Sequence, residues 1–247
     1  MQIPTYNENR IMPNDYRNKL TLRGERKIVE RVFDSIRTKE AFNDGSDRVF
    51  DFDNVIPTPP ALQIESNWGA EDMVMLYMRQ AGFSMIVGRH DPMLKHAQET
   101  YNKWDDETRQ KMKQLARKYL ANIAEYEYPN WYSFHIDKWG TKWNSYGEQK
   151  REGDTLTFET ANGYPKPVLE ELSKAWPEVE FDLTAADEDI GSNTIKGTFR
   201  AGTFYGVEEH QTPKAYEIAF EMFPERKEHY YPLGDGTFAW KDDEEVG

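Results

Sequence analysis

The chain has 247 residues, no cysteine, and 44 Asp and Glu against 31 Lys and Arg, for a formal charge of −13. That length suffices for one elaborated domain or two small ones. The missing thiols exclude disulfides, thiolate nucleophiles and cysteine-held zinc or iron–sulfur centres, and the acid surplus disfavours a duplex-DNA binder that works by neutralising phosphates.

Residues 1–17 are polar, carry Pro4 and Pro13, and read as an N-terminal arm. Residues 18–60 read as a first β-α-β unit. Lys19–Arg23 alternates polar and apolar as a half-buried strand does, Gly24 ends it, and Ile28, Val29, Val32, Phe33 and Ile36 follow one helical face. Phe50 and Phe52 alternate with Asp51 and Asp53, predicting the returning strand, which stops at Pro57-Thr58-Pro59-Pro60.

Residues 61–129 read as a helical insert. Ala70–Gln80 is one helix, Asp91-Pro92 opens a second with a cap and an N1 proline, and Asp105-Asp106-Glu107 begins a long third. Lys111, Lys113, Arg117 and Lys118 lie further along it, as the helix dipole favours, and mark a basic face.

Residues 130–205 hold a tryptophan-rich loop and a second β-α-β unit. Asp154–Thr160 is a strand, Val168, Leu169, Leu172 and Trp176 form a helical stripe closed by Pro177, and Val179, Phe181 and Leu183 return. Ile195–Phe204 reads as a further strand with glycine interruptions. Residues 206–247 add a helix at Pro213–Phe223 and an acidic tail. The predicted class is α+β: a ferredoxin-like split β-α-β sheet, built from residues 18–56 and 154–204, interrupted by the helical insert.

The N-terminus lacks the apolar core of a secretory signal. Met73–Val87, the longest apolar-leaning stretch, is broken by Arg79, Gln80 and Ser84, short of the roughly 20 residues a span needs. A cytoplasmic protein without membrane contact is expected. Residues 1–130 hold 20 acids and 19 bases, and residues 131–247 hold 24 and 12. The acidity therefore belongs to the second half, which bears on partners rather than on fold.

Met12-Pro13-Asn14, then Asn18–Leu22 and Gly24, resemble the opening signature of the YubB-type, Api-like family of phage and plasmid proteins. Asn130-Trp131-Tyr132 and the element Trp139-Gly140-Thr141-Lys142-Trp143-Asn144 resemble its hallmark, continued by Leu156–Ala161. The likeness covers roughly residues 12–60 and 130–205. Two departures stand out. Asp15 and Tyr16 replace the aromatic and thiol of the usual opening, and Asp187–Gly191 matches the family's acid-and-glycine turn only loosely. The resemblance implies a ferredoxin-like fold and a mobile-element origin, and no known chemistry.

The candidate binding residues are Trp131, Trp139, Lys142, Trp143 and Asn144, with the acids Asp187, Glu188 and Asp189. Trp139, Trp143 and Lys142 make either an aromatic clamp or a loop folded over the core with its indole N–H groups satisfied; the second agrees with the usual burial of large aromatics. Lys196–Phe204 resembles the aromatic strand of RNA-recognition motifs out of frame, in an acidic setting that disfavours nucleic acid. None of the five histidines forms a paired zinc motif, and no nucleophile elbow, Walker loop or dinucleotide fingerprint occurs. The expectation is a chain with no catalytic residues, no metal and no cofactor. It is a phage- or plasmid-encoded interaction protein whose acidic surface binds and inhibits a host or defence protein with a basic surface, as an anti-CRISPR factor does. The alternatives are single-stranded nucleic-acid binding through sheet aromatics and the basic insert helix, and a small-molecule or enzyme site at the W-G-T-K-W loop.

Overall fold

The computed structural model describes residues 14–38, 48–81 and 92–241. In chain order the elements are β1 (Asp15–Arg23), α1 (Arg26–Ile36), α2 (Trp68–Gln80), α3 (Pro92–Lys103), α4 (Asp106–Tyr126), α5 (Trp131–Lys138), β2 (Tyr146–Glu152), β3 (Thr155–Ala161), α6 (Lys166–Ala175), β4 (Glu180–Asp187), β5 (Thr194–Arg200), β6 (Thr203–Glu209), α7 (Pro213–Met222), β7 (Tyr230–Pro232) and β8 (Phe238–Trp240). They divide between two compact units: Met1–Pro57 with Lys138–Gly247, and Thr58–Asp137.

The first unit is built on a six-stranded sheet of order β2-β3-β1-β4-β5-β6, with antiparallel neighbours throughout. Strands β1 to β4 with α1 and α6 make the split β-α-β arrangement, and β5 and β6 extend one edge. Leu20, Leu22, Leu156, Phe158, Phe181, Leu183 and Phe199 point to one face. There they pack with Val29, Val32, Phe33 and Ile36 of α1 and Val168, Leu169 and Leu172 of α6. The opposite, outer face is covered at one end only, where Ala219, Phe220, Met222 and Phe223 pack on Ala186 and Ile190.

Several elements depart from the sequence expectation. Strand β1 begins at Asp15, inside the expected arm, because polar Asn18 is fully buried. Its Nδ2 donates to Tyr16 O at 2.9 Å and Thr160 Oγ1 at 2.8 Å, so a residue that breaks the apolar alternation is held inside the sheet through its amide nitrogen, while its buried Oδ1 has no partner.

Phe50 and Phe52 do not form the returning strand. Residues Phe52–Asn54 are a 3-10 turn whose cap, Asp51, accepts from Asp53 N, while the two buried rings meet edge to face at 5.0 Å. The strand that completes the first crossover is β2, which lies beyond the helical insert. Glu148, Lys150, Arg151 and Glu152 make it too polar to read as a strand. Ile195–Phe204 is also not one strand. It folds as the β5–β6 hairpin through Ala201 and Gly202, at φ +48° and +81°, the left-handed pair that a type I′ turn requires.

The second unit is helical. Ala70, Met73, Leu94, Ala97, Met112 and Tyr119 form its core. Asn67 caps α2 by accepting from Gly69 N, and Asp105 caps α4 by accepting from Thr108 N. The Tyr119 hydroxyl donates to Glu65 O at 2.6 Å and accepts from Asn67 N at 2.9 Å, fixing the entry to α2. Asp91, the expected cap of the next helix, lies outside the described residues, as do residues 1–13 and most of the acidic tail. Among the described residues no helix is long and apolar enough to cross a membrane.

Candidate functional site

The W-G-T-K-W element splits between core and surface. Trp139 is 1% exposed. Its Nε1 donates to Ile56 O at 2.9 Å and its ring meets Phe52 edge to face at 5.7 Å. Gly140 follows at φ +76°, where a Cβ would lie 2.8 Å from Pro167 Cδ, so the turn needs glycine. Thr141 Oγ1 donates to Trp143 O at 2.7 Å. Asn144 closes the loop: its Oδ1 accepts from Phe52 N at 3.0 Å and its Nδ2 donates to Asp51 Oδ1 at 2.7 Å. The surface keeps Trp143, 38% exposed, with the Lys142 ammonium 4.6 Å from its ring centroid. Trp131 opens α5 in the helical unit, where it packs on Tyr132 and His135. The buried alternative thus describes Trp139, and a paired-tryptophan clamp does not form.

Asp187, Glu188 and Asp189 close β4. Asp187 is 3% exposed and accepts from Asn14 Nδ2 at 3.0 Å and Asp189 N at 2.9 Å. Asp189 accepts from Ser192 Oγ at 3.1 Å. Glu188 extends the pairing with β1, since Asp15 N donates to its Oε1 at 3.0 Å and Arg226 Nη2 to its Oε2 at 3.0 Å.

Strand pairing brings three further groups to this end of the outer face. Tyr146 OH donates to Asp15 Oδ1 at 2.5 Å, and burial, then that hydrogen bond, raises the phenol well above its ordinary range. The Glu159 carboxyl is raised by burial and then by Asp15, with Glu148 and Glu188 adding to the shift, while Arg17 opposes it. Arg17 stands 4.0 Å from Glu159 but is shared: it also bonds Glu225 at 3.1 Å and Met222 O at 2.7 Å. The result is a carboxylate cluster with less cation than it can use. Among the described residues no group of three His, Asp or Glu has the geometry to hold a metal ion. Asp15, Tyr146, Glu148 and Glu159 escaped sequence reasoning, because β2 shows no apolar alternation and Asp15 meets the other three only through the pairing of β1 with β3, more than 100 residues apart.

Next to this cluster the outer face forms an open groove of 380 Å³ lined by Lys19, Arg23, Asp182, Lys196, Thr198 and Glu221 among others. Each of its charges is paired: Glu221 is shared by Lys196 at 2.7 Å and Lys19 at 3.5 Å, and Asp182 takes Arg23 and, at 2.5 Å, the Thr198 hydroxyl. Phe199 of β5 is fully buried on the helix-covered face, and Phe204 packs against the same core. Neither is a stacking platform on the open face, contrary to the nucleic-acid alternative. Tyr205 is the exposed aromatic of that hairpin.

The sheet and its two crossover helices define a ferredoxin-like domain. Residues 138–222 match the family model described as the ferredoxin-like domain in Api92-like protein, and so carry the resemblance expected from the W-G-T-K-W element. A solved structure, a protein api92 from Yersinia pseudotuberculosis, aligns with 80% of this chain and 98% of its own at 10% identity and a TM-score of 0.37. No curated protein matches the chain.

Proposed function

We propose that this protein is a non-enzymatic interaction protein, encoded by a phage or plasmid, that docks the carboxylate-rich surface of its sheet unit onto a basic surface of a host or defence protein in the host cytoplasm and inhibits it, as a counter-defence factor does. The observation that carries the reading is the gathering of Asp15, Glu159 and Glu188 at one end of the sheet, where Arg17, 4.0 Å from Glu159, is shared with Glu225 and Met222 O. A cation brought to this surface adds countercharge to carboxylates that, among the described residues, have only Arg17, which is shared, and Arg226 beside them. The charge distribution supports the same reading, since the sheet unit holds 33 acids and 22 bases, net −11, and the helical unit 11 and 9. Such a field steers a cationic partner and raises its association rate at low salt.

The test is affinity capture from host lysate with mass spectrometry, followed by association kinetics of the purified partner between about 50 and about 500 mM salt. The reading expects a rate that falls steeply with salt and falls again in the E148Q/E159Q variant. A rate indifferent to both would overturn it.

A further inference from the structure

We infer that the β6 edge is a self-association surface, and that two copies of this chain pair antiparallel along Thr203–Glu209 about a twofold axis at Gly206. The two edges of the sheet differ in how they are defended. At β2 the register shifts in a bulge between Tyr146 and Lys150, and the strand carries Glu148, Lys150, Arg151 and Glu152, the charges and irregularity that keep an edge from pairing. At β6 the ladder with β5 is regular from Arg200↔Thr203 to Thr194↔Glu209. Tyr205 is 62% exposed and Val207 43%. The one charge facing inward, Glu208, is already held by Tyr164 OH at 2.6 Å and Lys166 Nζ at 3.3 Å, so it does not guard the edge.

The hydrogen-bonding direction follows from the turn. A two-residue hairpin closes on a hydrogen-bonded pair, here Arg200 and Thr203, and such pairs alternate along the ladder. Tyr205 and Val207 therefore bond to β5, and the N–H and C=O groups of Phe204, Gly206 and Glu208 point away from it. The closeness of Gly197 and Gly206 agrees: a Cβ on Gly197 would lie 2.6 Å from Gly206 Cα, as expected of a non-bonded pair.

A twofold axis at Gly206 makes this edge complementary to itself. Phe204 pairs with Glu208 of the second copy, Gly206 with Gly206, and Glu208 with Phe204; three pairs exchanging two bonds each give six backbone hydrogen bonds. Tyr205 then faces the second copy's Val207 in the closer, non-bonded positions, twice, an aromatic and β-branched pair on the open face. The charges permit it. Each Glu208 is offset from its counterpart by four residues, about 13 Å, beyond the screening length of about 8 Å. Each copy carries −13, so association should strengthen as salt rises, opposite to the salt response of the acidic-surface reading above.

Sedimentation equilibrium on the full chain tests the pairing, with wild type, Y205K, V207E and Y205K/V207E. Each single variant should weaken dimerisation about 10-fold or more, from two lost cross-strand pairs. The double variant should recover to within about 3-fold, because the new lysine of one copy faces the new glutamate of the other. Amide exchange should slow with protein concentration at Phe204, Gly206 and Glu208, and not at Tyr205 and Val207. A monomer up to about 1 mM, a dimer indifferent to both single variants, or a double variant no better than either would each overturn the pairing. Exchange readings at these five amides decide the matter on unmodified protein if any variant fails to fold.

Discussion

Replacing Trp139 separates a core role from a binding role for the most recognisable element of the sequence. The indole is 1% exposed, bonded to Ile56 O at 2.9 Å and packed edge to face on Phe52. A fully buried tryptophan removes about 200 Å² of surface from water, worth about 5 kcal/mol by area, and truncations of this kind cost about 3–5 kcal/mol. Orphaning the Ile56 carbonyl adds about 1 kcal/mol. Trp139→Ala should therefore destabilise the sheet unit by about 4–6 kcal/mol, a large share of the 5–15 kcal/mol a domain of this kind has. In scanning calorimetry that lowers Tm by about 10–20 °C. Trp139→Phe keeps the ring contact and loses the hydrogen bond, for about 1–3 kcal/mol. Trp143→Ala removes a ring already 38% exposed and should cost about 1–2 kcal/mol. A Trp139→Ala melt within about 3 °C of wild type, or a Trp143→Ala penalty larger than that of Trp139→Ala, would refute the assignment of Trp139 to the core.

Gly197→Ala places a Cβ 2.5 Å from Tyr205 O and 2.6 Å from Gly206 Cα, backbone atoms that cannot swing aside. It should cost about 3 kcal/mol or more, or dismantle the β5–β6 hairpin, and an unchanged circular-dichroism melt would contradict the observed pairing. Glu159→Gln probes the carboxylate cluster through pH. Since the folded-state carboxyl titrates above its unfolded value, the native state binds the extra proton. The stability tied to that proton is full below the unfolded value and is lost as pH rises through the folded one. The variant escapes this loss, so its melting advantage should be absent near pH 4 and grow toward pH 7; a difference that does not change with pH would remove the repulsion argument.

Where a single face is buried, the residues announced the fold. Ile28, Val29, Val32 and Phe33 of α1 and Val168, Leu169 and Leu172 of α6 are the stripes that close the core, and their 3.6-residue period is visible in the chain. The returning strand of the first crossover was misplaced for a physical reason. Phe50 and Phe52 alternate with acids because a 3-10 turn buries two rings while Asp51 caps it, a pattern that period-two reading takes for a strand. The true partner, β2, is a charged edge strand with a bulge and no apolar alternation. Edge protection and legibility work against each other there: the features that stop the strand from aggregating also erase its signature. Tryptophan at position 139 was legible as large and interior, but its bond to Ile56 O joins segments 83 residues apart.

The charge shows most plainly why the site stayed hidden. Divided at Asn130, the sequence assigns nearly all its net negative charge to the second half, yet the fold does not respect that cut. The central strand β1 comes from residues 15–23 and enters between β3 and β4, carrying Arg17, Lys19 and Arg23 into the acidic strands. Lys19 reaches Glu221, Arg23 reaches Asp182 and Arg17 reaches Glu225. The carboxylates in the middle of the outer face are thereby met by cations from the first half as well as by Lys196, and the groove there carries three cations against two acids. At the β1 start the same strand contributes an acid, Asp15, beside Glu188 and among the groups that raise Glu159. Neighbouring carboxylates therefore gather at that end, with the shared Arg17 and Arg226 as their cations, and not along the whole half. Where along β1 the sign changes, between Asp15 and Arg17, decides which part of the sheet gathers carboxylates. That inference needs the strand register, which no one-dimensional charge count contains.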